Sequence, residues 1–115
     1  IMDNSLWSEI QQKTKQLDYS VKELRKSGTA YAEAEKAYKI KLRETALRLR
    51  SQDMAVGMIS MTVYGVPEVA ELRFKRDCAR VVYDANKDAI NAIKLELRIL
   101  ENQVQREWAT PPTGV

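Results

Sequence analysis

The residues with the chemistry to hold a divalent cation are three acidic pairs, Glu33/Glu35, Glu68/Glu71 and Asp84/Asp88. The last two are spaced i,i+3 and i,i+4, which sets both carboxylates on one side of a helix. Basic residues flank each pair, so the pattern reads as a solvated, salt-bridged face, and no metal site is expected. A di-metal site in a helical bundle would also use Glu-x-x-His, and the chain has no histidine. The same absence removes Ser-His-Asp and Cys-His nucleophile chemistry. Neither a G-x-x-x-x-G-K-[ST] nor a G-x-G-x-x-G phosphate loop occurs. Cys78 is the only cysteine, so no internal disulfide or Cys/His zinc site can form. With no base in its motif it reads as a small apolar packing residue. The expectation is a chain that is not an enzyme and needs no cofactor.

Binding chemistry is better represented. Residues 36–80 carry ten Lys/Arg against five Asp/Glu, a local balance of +5 within an overall +3. The basic residues that converge toward one end are Lys39, Arg43, Arg48, Arg50, Arg73, Lys75, Arg76 and Arg80. Beside Tyr38, Tyr64 and Phe74 they suit contact with a phosphate backbone and stacking of unpaired bases. The competing reading is that long helices carry many Lys and Arg on solvated faces. No zinc finger, basic zipper or other groove-reading motif is present. Between the two basic arms lies "MAVGMISMTVYG", whose Met54, Val56, Met58, Ile59, Met61 and Tyr64 form a candidate docking surface for a partner.

Long helices must position these residues. In the first half, apolar and small residues follow two seven-residue series, Ile10-Leu17-Leu24-Tyr31-Tyr38-Thr45 and Thr14-Val21-Gly28-Glu35-Leu42-Leu49. The second half repeats the period with Val69-Arg76-Tyr83-Ile90-Leu97-Val104 and Leu72-Ala79-Asn86-Ile93-Leu100-Glu107. A repeat of about 3.5 residues held this long predicts helices with one narrow buried seam each. Asp3, Asn4 or Ser5 can cap the first. Pro67 suits the first helical position of the second, with Glu68 in its first turn. The predicted architecture is all-α: a long antiparallel helical hairpin over about residues 5–50 and 67–108, joined by a short apolar connector. Gly28 leaves a three-helix arrangement open, but the heptad phase passes from Leu24 to Tyr31 without a slip, which favours one helix.

With the turn centred in the connector, Trp7 should fall near Trp108, Tyr31 near Asn86 and Tyr38 near Ala79. Asn86, Arg76, Glu35 and Gly28 interrupt the seams; a buried Asn86 would set register, while Arg76 and Glu35 would snorkel or pair across subunits. A two-helix hairpin has a thin core, so a homo-oligomer is expected. Residues 1–108 read as a single helical domain and 109–115, with Pro111-Pro112, as a disordered tail. No apolar run reaches the roughly 18–20 residues needed to span a bilayer, and no signal peptide is visible. No membrane partner is expected, and a reducing, cytoplasmic setting follows.

The stretch "AYAEAEKAYKIKLRETALRLR", the apolar connector and "VPEVAELRFKRDCARVVYDANKDAINAIKLELRILENQVQREW" together resemble small helical proteins of bacteriophages and prophages, over about residues 25–108. Such proteins sit among phage DNA replication and recombination genes. The pattern is also loosely similar to phage recombination mediators, which form rings and help load a recombinase on single-stranded DNA. The likeness is of pattern, so it transfers no site residue. It implies a non-enzymatic accessory protein in the cytoplasm of a bacterial host, binding single-stranded DNA or a phage recombination or replication protein. The alternative is a protein-interaction adaptor or structural coiled coil that uses the Met-rich connector for docking.

Overall fold

The computed structural model describes residues 4–109. The proposed capping residue Asp3 and residues 110–115 of the expected tail lie outside the described residues. The elements are α1 (Asn4–Ser51), α2 (Val56–Thr62), a 3-10 turn (Val63–Gly65) and α3 (Pro67–Ala109). No strand occurs among the described residues. Helix α1 passes through Gly28 without interruption, and the connector expected to be a simple turn carries a short helix of its own.

The described chain divides into two compact units, residues 25–84 and residues up to 24 with those from 85 onward. In the latter unit α1 and α3 lie antiparallel: Lys13 forms an ion pair with Glu96, and the Asn86 side-chain amide donates to the Glu23 carbonyl at 3.3 Å. Leu6, Ile90 and Ile93 are its buried apolar residues. The polar Asn86 is thus held in a seam by a backbone acceptor on the facing helix.

Residues 25–84 have a core of their own. Tyr38, Leu49, Val63 and Val69 are buried together, with Leu42, Ala46, Met54, Ile59, Val66 and Leu72 against them. Here the helices are again antiparallel, but the register differs from the expected one. Tyr31 lies against Tyr83, with ring centroids 6.0 Å apart, where the expected register set it opposite Asn86. Tyr38 lies against Arg76, where the expected register set it opposite Ala79. The cause is the connector. The last turn of α1 shares its core, through Leu49, with Val63 of the 3-10 turn as well as with Val69 of α3, so the connector and not α3 alone covers the end of α1.

The end of α1 shows how the chain turns. The Met54 N–H bonds the Leu49 carbonyl at 3.2 Å and the Asp53 N–H bonds the Arg50 carbonyl at 3.1 Å. This pair of bonds satisfies two of the last carbonyls of the helix, and it needs a left-handed residue just past its end. Asp53, with φ 65°, is that residue. Leu49 and Met54 meet in the core, as such a cap favours. Asp53→Gly should therefore stabilise the protein by about 0.5–1 kcal/mol, because glycine occupies the left-handed region without a β-carbon penalty. Chemical denaturation checks this; a midpoint that falls would contradict the cap. Helix α3 starts as read from sequence: Val66 is extended, Pro67 opens the helix, and the Ala70 N–H bonds the Val66 carbonyl at 2.9 Å.

Gly28 has a packing role. A β-carbon there would stand 3.1 Å from Cε1 of Tyr83, so the glycine makes room for the ring that pairs with Tyr31. Gly28→Ala recovers up to about 1 kcal/mol of helix propensity, and the half-buried Tyr83 ring can yield a few tenths of an ångström, leaving stability nearly unchanged. Gly28→Leu cannot be accommodated so simply and should cost about 1–3 kcal/mol. Thermal melts of the two variants should separate clearly; a Leu variant as stable as the parent would refute the close approach.

Candidate functional site

All the candidate binding residues fall in the unit of residues 25–84, and the structure sorts them by what each side chain already touches. Arg76 comes from the α3 seam and points inward. Its guanidinium stands 4.6 Å from the centroid of Tyr38, which is itself buried. Arg76 Nε–H donates to Asp77 Oδ1 at 3.0 Å, and Nη2 lies 2.9 Å from the same oxygen. That hydrogen bond to Asp77 is the main reason the Arg76 pKa is raised, and it outweighs partial desolvation. With its side chain only 17% exposed, Arg76 is a packing residue rather than a ligand-facing one. Tyr38 is likewise closed to base stacking.

Arg80 approaches the same Asp77 oxygen at 3.6 Å, and Lys39 lies 3.8 Å from Glu35. Both are exposed pairs and contribute little to stability. Glu35 is therefore explained by its own helix, through an i,i+4 pair. Arg48 borders a small hollow with Lys41, Glu44, Thr45 and Glu68. Lys41 and Glu44 pair at 3.4 Å there, so the hollow is of mixed charge and poorly suited to phosphate. Arg43, Arg50, Arg73 and Lys75 are exposed, and no ion pair holds them among the described residues. Arg73 instead lies over the Tyr64 ring, 5.4 Å from its centroid. Phe74 is exposed.

The methionine-rich residues split into two groups. Met54 and Ile59 turn inward and pack on the core of the unit. Val56, Met58, Met61 and Tyr64 face outward, Met61 at 77% exposure. Met54 precedes α2 and is drawn inward by its bond to the Leu49 carbonyl at the end of α1, whereas Ile59 turns inward from α2 itself.

Between α2 and the end of α1 runs an open groove of about 380 Å³. Leu42, Ala46, Leu47 and Arg50 wall it from α1, Val56, Ile59 and Ser60 from α2, and Val63 and Tyr64 close the end. Arg50 is the only charged residue in its lining, and no acidic residue lines it. The contribution of α1 escapes a reading of the seams alone. Its signal is Leu47, which belongs to neither heptad series and stands 58% exposed. Exposed Ile40 lies seven residues earlier on the same face.

The acidic pairs do not converge: among the described residues no three Cys, Asp or Glu side chains come together as a metal site would require. Glu33, Glu68, Glu71, Asp84 and Asp88 are all exposed. Cys78 is also exposed, so it does not pack as the small apolar residue that its sequence context suggests. No helix among the described residues is long and apolar enough to cross a membrane. Comparison with models of protein families, with curated proteins and with solved structures finds no match to this chain.

Proposed function

We propose that this protein is a non-enzymatic interaction module that docks a partner protein on the face built by α2 and the last turns of α1. The observation that carries this reading is the apolar groove between those helices, with Leu47, Val56 and Tyr64 exposed along it. Exposed methionines beside the groove add an adaptable apolar surface. Two residues of the alternative stacking platform are already engaged, since Tyr38 is buried and Arg73 lies over one face of Tyr64. The test is selection from a displayed peptide library against the parent and against Val56→Glu. Val56 is 65% exposed, so this change should leave the fold intact. The parent should enrich peptides with an apolar face, each binding the variant at least about tenfold less tightly, as expected when a charge replaces an apolar contact. Peptides that bind both proteins equally would remove the groove from consideration.

A second reading is an accessory protein of phage DNA recombination or replication that binds single-stranded DNA and self-associates. It is supported by Arg43, Arg48, Arg50, Arg73 and Lys75, which are exposed and lack ion pairs among the described residues. Its test is an oligo-dT titration over a salt series. On this reading the affinity falls steeply with salt, by about 0.7 log units per log unit of salt for each phosphate neutralised. Binding no tighter than that of a generic basic protein excludes it.

A further inference from the structure

The docking face has a definite chemistry, and the geometry points to an acidic amphipathic helix of a partner protein as its occupant. This inference rests on the docking reading above. Leu42, Ala46 and Arg50 recur every four residues along α1, and Val56 and Ser60 stand one turn apart on α2. Lining residues at helical spacing on both walls suit a third helix that anchors through its own i, i+3, i+4, i+7 positions. Ala46 and Ser60 are small and allow close approach. An extended peptide has no exposed sheet edge to join, because no strand occurs among the described residues.

Charge sets the sign of the occupant. Arg50 stands in the groove wall, and Arg73 lies over Tyr64 at the closed end. Arg43 precedes Leu47 by one turn on α1. None of these three forms an ion pair among the described residues, and no carboxylate lines the groove. A helix with Leu or Phe anchors and Glu or Asp on its flanks would meet apolar floor and basic rim together. A basic helix with the same anchors would meet Arg50 in the groove wall and find no carboxylate in the lining.

The test uses two helical peptides of about 16 residues, long enough to hold several turns. Both carry Leu at i, i+3, i+4 and i+7; one has Glu on the flanks and the other Lys. Fluorescence anisotropy against the full chain should show the Glu peptide binding about tenfold tighter, as expected for two or three rim ion pairs. The gap should close in the Arg50→Gln/Arg73→Gln variant, which leaves the apolar wall unchanged. Leu47→Glu should abolish binding of the Glu peptide. If both peptides bind the parent equally and both lose binding to Leu47→Glu, the acidic partner is wrong and the docking reading stands. If neither binds, both fail. If light scattering shows a dimer that Leu47→Glu dissociates, the occupant is a second copy and the inference is overturned. Oligo-dT that binds through the same arginines and displaces the Glu peptide also overturns it.

Discussion

Val69→Asp should unfold the unit of residues 25–84. Val69 is completely buried, at 0% exposure, in the cluster with Tyr38, Leu49 and Val63. Lys and Arg side chains on this unit are spent on the surface or, in Arg76, on Tyr38 and Asp77. An aspartate at 69 would therefore be buried without a partner, at a cost of about 3–5 kcal/mol. That is a large share of the roughly 5–15 kcal/mol of stability a domain has. Hydrogen exchange should lose protection across residues 25–84, and the thermal transition should broaden or vanish. Val69→Ala, which removes only methyl groups, should cost about 2 kcal/mol and keep the fold. An Asp variant melting within a few degrees of the parent would falsify the placement of this core.

The second large effect is expected at Tyr38. Tyr38→Ala removes a buried ring and the seat of the Arg76 guanidinium, and should cost about 3–4 kcal/mol. Tyr38→Phe keeps the ring under the cation and should change stability by less than about 0.5 kcal/mol. Arg76→Ala should cost about 1–2 kcal/mol through lost packing and the lost cation–ring contact. In the double variant the losses should fall short of additive, because each single change already removes the shared contact. Arg73→Ala is the control: its ring contact is with exposed Tyr64, so stability should hold. A Tyr38→Phe variant as unstable as Tyr38→Ala would show that the hydroxyl, and not the ring, matters.

These variants also separate two kinds of basic residue that look alike in sequence. Arg73 and Arg76 stand three residues apart in a run of mixed charge. One sits on the heptad seam and one beside it. The seam position was readable, and so was the option that Arg76 would snorkel or pair. Its actual resting place over Tyr38 was not, because that depends on the register between α1 and α3. The expected register placed Ala79 opposite Tyr38, three residues away from the observed partner. A symmetric turn was the assumption behind it. The connector instead inserts α2 and a 3-10 turn, and Val63 joins Leu49 and Val69 in one core.

Gly28 and Asp53 teach the same distinction at smaller scale. Continuity of α1 through Gly28 followed from heptad phase, a local and cumulative signal. The reason for a glycine there, the Tyr83 ring 3.1 Å from the missing β-carbon, lies on another helix. Asp53 gave no periodic signal, since a single left-handed residue leaves only a mild composition preference.

By itself the sequence determined that the described chain is helical, where its two long helices begin and end, and most of the stripe that each turns inward, though Thr14 and Glu107 of the two series are exposed and buried Ser27 lies off them. Those properties are set by backbone propensity, by caps and by a period that repeats over dozens of residues, so each position reinforces the next. Only the tertiary structure decided which residues face each other, that Met54 and Ile59 turn inward while Val56 and Met61 turn outward, and that Leu42, Ala46 and Leu47 complete a groove with α2. Those outcomes depend on how one short, atypical connector folds back on the helix ends. A groove is a property of two surfaces brought together, and no one-dimensional repeat records it.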